Sequence, residues 1–278
     1  MNDFILTKEY KRFVEFCNTC KKEKYIGLCH GHAGVGKSMS AVYYANWHKV
    51  EAQLIAASAY DQGFHRYNPI IDMKPYNTII YTPEVINSAK LIVNDIKQLI
   101  HHFSRLKERS IYGEFIPPER EVRLKKYVEL LIIDEAERLQ SKSLEQIRDI
   151  YDRQNYEYDG LNQIAVIFIG MPGIEKRLIR FPQLYSRIGF THTFNPLSSE
   201  EISFIIEQHL KTLGIAFKEN NFMDHEATAA VARITNGNFR LINRLLKQAI
   251  RIIEVNQLSF ISKEVINSAR ECLVIGNS

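Results

Sequence analysis

The chain has 278 residues, 45% of them hydrophobic and 24% charged, a globular composition long enough for one large domain or a core with a smaller satellite. A formal net charge of +4 permits a nucleic-acid partner without demanding one, and four cysteines are too few for a disulfide framework at this size. The longest apolar runs are only a few residues, such as Leu130–Ile133 and Ile164–Ile169, too short to span a membrane, and Met1-Asn2-Asp3-Phe4 lacks the pattern of a signal peptide, so a cytoplasmic protein with no membrane partner is expected.

Thr7 to about Lys24 reads as an amphipathic helix with Tyr10, Phe13, Val14 and Cys17 at helical spacing. Cys17 and Cys20 form a C-x-x-C pair, but no second pair completes a zinc site, and Cys29 and His30 fall on the next strand, so packed thiols are expected. Tyr25 to Cys29 is that strand. It feeds Gly31-His32-Ala33-Gly34-Val35-Gly36-Lys37-Ser38, which satisfies the G-x-x-x-x-G-K-[ST] pattern of a phosphate-binding loop, and a helix leaves from Ser38 to about Trp47. Glycines let the backbone turn its N–H groups towards phosphate oxygens, and the helix N-terminus adds partial positive charge at the same point. Candidate ATP contacts are Gly31, Gly34, Val35, Gly36, Lys37, Ser38 and Met39, with Lys37 reaching the outer phosphates and Ser38 ligating magnesium.

Residues 50–74 lack clean periodicity and read as a helix tail and an irregular insertion. Asn77 to Tyr81 is a second strand, after which Thr82 caps a helix with Pro83 as its first residue, running to about Leu106. A loop through Pro117-Pro118 and a short helix to Lys126 follow. Glu129 to Ile133 and Gln163 to Ile169 are buried strands by their unbroken apolar runs. Between them, Ser143-Leu144-Glu145-Gln146 has the form of a capping box opening a helix to about Arg153. A helix over Gly173 to Arg180 and an edge strand over Phe190 to Phe194 complete a doubly wound parallel α/β sheet in residues 1–196. From Ser198, a second capping box opens four helices, roughly 199–213, 224–235, 239–255 and 263–273, read as a helical lid over 197–278.

The chemistry concentrates at strand ends, where a doubly wound sheet holds its ligand. Asp134 follows the strand Leu130–Ile133 and would hold magnesium through water, with Glu135 as general base for the attacking water. Arg187, just before the last strand, could reach a neighbouring subunit's terminal phosphate, with Arg180 as the other candidate. In Gly237-Asn238-Phe239-Arg240, Arg240 opens a helix and could report whether the terminal phosphate is present, while Arg244, Lys247 and Arg251 continue its face as solvated cations.

Together these four signatures resemble those of AAA+ ATPases, over about Thr7 to Arg270. Tyr81-Thr82-Pro83, Ile132-Ile133-Asp134-Glu135-Ala136-Glu137-Arg138-Leu139 and Ile169-Gly170-Met171-Pro172-Gly173 look most similar to the transposition regulators TnsC, TniB and MuB, with the ExeA-like and IstB-like ATPases as neighbours. The resemblance implies ATP-dependent, Mg2+-dependent assembly into rings or helical filaments on double-stranded DNA, recruitment of a transposase to a chosen target, and an ATP shared between Glu135 of one chain and Arg187 of the next. Gly170-Met171-Pro172 departs from the polar sensor of many AAA+ proteins, so slow, timer-like hydrolysis is expected, and Thr82 is a candidate restraint on Glu135.

For DNA, residues 97–126 carry eight cations (Lys97, Arg105, Lys107, Arg109, Arg120, Arg123, Lys125, Lys126) against four acids, an excess equal to the net charge of the whole chain. Phosphate contacts of this kind carry little sequence information, as a protein accepting many targets requires, though a solvated helix face is the competing reading. A replication initiator or helicase loader shares every ATPase signature. A small-molecule kinase shares only the loop, and the Asp134-Glu135 strand and Arg240 count against it.

Overall fold

The computed structural model describes residues 4–59, 67–113, 127–156, 163–211, 214–215, 217 and 221–274. They fall into an α/β unit, residues 12–31 and 37–193, and a helical unit made of residues 1–11, 32–36 and 194–278. The helical unit therefore takes in the centre of the phosphate loop and the N-terminal residues, which a boundary at 196 leaves with the first domain.

Five parallel strands form the sheet of the α/β unit: β1 (Ile26–His30), β2 (Thr78–Tyr81), β3 (Leu130–Ile133), β4 (Ala165–Gly170) and β5 (Ile188–Thr193), in the order β2-β3-β4-β1-β5. The register pairs Leu130 with Ala165, Ile26 with Val166 and Thr78 with Leu130. Every residue of β3 and β4 is buried, as unbroken apolar runs in a parallel sheet are, and each buried Val, Leu, Ile or Phe side chain among them contributes about 1.5–3 kcal/mol. The edge strand β5 alternates half-buried and exposed instead.

Flanking helices are α1 (Lys8–Glu23), α2 (Lys37–Ala45), α3 (Trp47–Ser58), α4 (Ala89–Tyr112), α5 (Ser141–Tyr156), α6 (Ile174–Leu178) and α7 (Pro182–Tyr185), with a 3₁₀ turn at Ala136–Arg138. The first four residues of α1, Lys8–Lys11, belong to the helical unit, and its remainder buries Phe13, Phe16, Cys17 and Cys20. A single helix after the phosphate loop is corrected to two, because Asn46 takes a left-handed conformation (φ 49°) between α2 and α3.

Two helix starts also differ from the sequence reading. Thr82 and Pro83 do not open α4; Ser88 does, its hydroxyl accepting the Leu91 N–H at 3.2 Å. Residues 82–87 are instead held to the turn after β3, where the Arg138 guanidinium donates to the Pro83 carbonyl (2.9 Å) and Asn87 Nδ2 donates to the Arg138 carbonyl (3.3 Å). Ser143 is not the cap of α5, which starts two residues earlier with Gln140 O accepting from the Ser143 and Leu144 N–H groups. No described helix is long and apolar enough to cross a membrane.

The helical unit contains α8 (Ser199–Lys211), α9 (Phe222–Thr235), α10 (Phe239–Val255) and α11 (Lys263–Glu271). Its own core gathers Ile202, Ile206, Val231, Ile242, Leu245, Leu246 and Ile266, all under 2% exposed, onto one face of each helix. Here the capping box forms in full: Ser198 Oγ accepts the Glu201 N–H at 3.3 Å and Glu201 Oε2 accepts the Ser198 N–H at 3.1 Å.

Candidate nucleotide site

The phosphate loop is built by two left-handed glycines, Gly34 (φ 81°) and Gly36 (φ 114°), and the reasons differ. A Cβ on Gly36 would meet nothing nearer than the Phe194 ring at 3.7 Å, so it is the backbone angle that demands glycine. A Cβ on Gly34 would lie 2.5 Å from Asn238 Oδ1, so there packing demands it as well. Successive amides in such conformations form an anion-accepting nest, which fits the triphosphate group the motif implies. Lys37, the first residue of α2, is buried and donates its ammonium to the Gly31 carbonyl at 2.6 Å. Ser38 follows in the first turn of α2, Val35 is buried, and Met39 is 56% exposed.

Gly31 leaves β1 and Asp134 leaves β3 at the same carboxyl edge of the α/β sheet, with only β4 between the two strands, a separation of about 10 Å at the usual strand spacing. Gly31 N–H donates to Gly170 O at 3.3 Å across that edge. Asp134 is buried, its backbone N–H donates to Tyr81 O (2.9 Å) and its Oδ1 accepts the Glu135 N–H (2.9 Å). Glu135 sits in a left-handed conformation (φ 52°), and its carboxylate is ion-paired with Arg138. Thr82 is exposed and makes no such contact among the described hydrogen bonds; the restraint on Glu135 is Arg138, three residues on.

Gly170 has a steric reason for lacking a polar side chain. A Cβ there would come within 2.6 Å of Ile174 Cδ1 and 3.1 Å of Glu137 Oε2, so the end of β4 is filled from outside by these two residues. The Glu137 turn is fixed in place by Arg177, whose guanidinium donates to the Glu137 and Leu139 carbonyls.

Arg187 is held within its own α/β unit, its Nε donating to Asp152 Oδ1 at 2.5 Å and its Nη1 to the Gln183 carbonyl. Asp152 also takes Arg148 Nη1 on its other oxygen at 2.5 Å. Arg180 is exposed at the end of α6. In the helical unit Asn238 caps α10, its Oδ1 accepting from the Arg240 N–H (3.1 Å) and Leu241 N–H (3.3 Å). Its Nδ2 donates to Ala33 O at 2.8 Å, and the Arg240 N–H also reaches Gly34 O at 2.9 Å. The Arg240 side chain starts beside the loop and is exposed.

The proposed row of cations on α4 is corrected. Arg105 and Lys107 are buried, the first paired with the buried Glu108 (3.5 Å), the second donating to the Tyr76 carbonyl and lying 5.9 Å from the Tyr127 ring centroid. Burial pushes the Lys107 ammonium below its ordinary pKa. The cause is the segment before β2, which lies along α4: Met73 N–H donates to Ser110 Oγ, which donates to Asp72. Lys97 is exposed and Arg109 half-buried against the Gly113 carbonyl, whereas Arg120, Arg123, Lys125 and Lys126 lie outside the described residues.

Cys17, Cys20 and Cys29 are buried. Burial, reinforced by the neighbouring thiols, raises Cys17 well above its ordinary pKa, and burial pushes Cys20 up to about 12, so both are inert protonated thiols.

Residues 20–178 match the family model of an AAA domain. A Staphylococcus aureus protein described as a potential ATP-binding protein is 42% identical over 99% of this chain and 97% of its own length. Among solved structures, the Thermotoga maritima RuvB Holliday junction branch migration motor is similar in fold (TM-score 0.57, 16% identity, 98% of this chain and 71% of that one). The Aeropyrum pernix ORC2 protein is similar over 100% of this chain and 72% of its own (TM-score 0.58, 15% identity).

Proposed function

The chain belongs to the AAA domain family and is an ATPase, and from that premise we propose that it is an ATP-gated assembly protein that polymerises on duplex DNA and regulates transposition by marking a target for a transposase. The observation that carries the ATPase part is the convergence of Gly31, Lys37, Asp134 and Glu135 on one edge of the sheet. The DNA and transposition parts draw on the resemblance of the loop, the Asp134-Glu135 strand and the Gly170-Met171-Pro172 turn to TnsC-like regulators, and on the fold likeness to a Holliday junction motor. The ORC2 likeness favours a second reading, a replication initiator, which a preference for origin sequence would separate.

Magnesium-ATP, when bound, supplies the phosphoanhydride to be hydrolysed and a metal to offset its charge. Ser38 and Asp134 would hold the metal; Lys37 and the loop amides would hold the phosphates. Lys37 exchanges the Gly31 carbonyl for a phosphate oxygen. Glu135 must leave Arg138 before its carboxylate can take a proton from water. Arg187 must likewise leave Asp152 before it can serve an adjacent subunit.

Mixing tests this. Arg187→Ala and Lys37→Ala proteins should each be inactive alone and recover phosphate release when combined, because a mixed interface holds one intact loop facing one intact arginine. No recovery at any ratio contradicts an Arg187 acting in trans.

A further inference from the structure

We propose that Asn238 is a positioning residue that clamps the phosphate loop to α10 and sets Arg240 to discriminate ATP from ADP; this rests on the reading of Arg240 as a terminal-phosphate sensor. Both ends of the Asn238 amide are engaged. Its oxygen caps the first turn of α10, and its nitrogen holds the Ala33 carbonyl at 2.8 Å. One peptide further on, the Arg240 N–H holds the Gly34 carbonyl at 2.9 Å. In a planar trans peptide the carbonyl and the following N–H point in opposite directions. Fixing the Ala33 and Gly34 carbonyls towards α10 therefore fixes the Gly34 and Val35 N–H groups away from it, orienting the amides that the nest uses for phosphate.

The same bonds take up two donors of the first turn of α10, the Arg240 and Leu241 N–H groups, which helix ends otherwise leave unsatisfied. The Arg240 N–H is thus committed to a loop carbonyl, and the exposed Arg240 side chain is the part of that residue left to read the nucleotide. The fit is close: any residue larger than glycine at 34 would strike Asn238 Oδ1 at 2.5 Å.

Asn238→Asp separates clamp from cap, because aspartate caps helices as well as asparagine but offers no donor to Ala33 O. Asn238→Ser keeps a cap without adding charge. For both variants the nucleotide-free melting temperature should fall by no more than about 4 °C, the effect of one lost exposed hydrogen bond, since the cap itself is kept. Affinity for ATP, measured with a fluorescent analogue and without turnover, should fall about tenfold, the equivalent of one lost hydrogen bond, and affinity for ADP by less. Arg240→Ala should lower the same ATP-to-ADP ratio, and combining it with Asn238→Asp should add little further loss. If Arg240→Ala lowers the ratio while both Asn238 variants keep the parental one, Asn238 is a cap only and the proposal fails. If Arg240→Ala leaves the ratio unchanged, the sensor reading fails and the proposed coupling with it.

Discussion

Replacing Glu135 by Gln preserves size and removes one charge, and the structure assigns separate costs to stability and to chemistry. The lost ion pair with Arg138 joins side chains that are 41% and 34% exposed. Solvent screening limits such a pair to about 0–1 kcal/mol, which for a protein of this size is at most about 2–4 °C in melting temperature. The left-handed backbone at 135 costs Gln no more than it costs Glu. Removing the proposed general base should meanwhile lower hydrolysis about 10²–10⁴-fold. Parallel thermal melts, nucleotide titrations and phosphate-release assays read the three quantities. The variant should melt near the parent, bind ATP at least as well, and turn over at background. Phosphate release within about threefold of the parent, or loss of ATP binding, would refute the assignment of that carboxylate.

The buried Arg105–Glu108 pair gives the opposite pattern: Glu108→Gln strands a guanidinium inside and should cost about 3–5 kcal/mol in chemical denaturation, whereas Lys97→Ala at the surface should change stability by less than about 0.5 kcal/mol. A thiol-reactive dye should label one cysteine rapidly in the native protein, the exposed Cys272, and all four only after unfolding. His209 supplies a pH test. Burial, and then the Lys247 charge, hold its imidazole below the ordinary 6.5. The unfolded chain therefore binds a proton that the native state refuses, and stability should fall as pH drops from about 6.5 through the native pKa. His209→Gln should flatten that segment of a stability-versus-pH curve; an unchanged slope would mean that His209 titrates normally.

What the sequence disclosed was what spacing encodes. The phosphate loop, the runs of β3 and β4, the Ser198–Glu201 box and the 239–255 helix are local patterns, and each occupies its expected place. Partner choice over distance is not local. Arg187 lies 35 residues from Asp152, and nothing in Tyr185-Ser186-Arg187 announces that acid. Six consecutive residues of α4, Phe103 to Glu108, are buried, so no period could separate its cations into inner and outer ones. The start of α4 misled for a related reason: Thr82-Pro83 is a sound local signal, overridden by the bonds from Arg138 and Asn87 that tie residues 82–87 to the turn after β3. Asn238 did leave a trace, as an N-cap residue two positions before Arg240, but its second bond, to a residue 205 positions away, belongs to the fold alone.

Particle size is the most direct readout of ATP-gated assembly on DNA. Negative-stain microscopy of the full chain with duplex DNA, under ATP, ADP or no nucleotide, should show ordered oligomers on DNA with ATP only. Glu135→Gln should keep them there, and raised salt should dissolve them. Single unassembled protomers under ATP, magnesium and DNA together would contradict the proposed function.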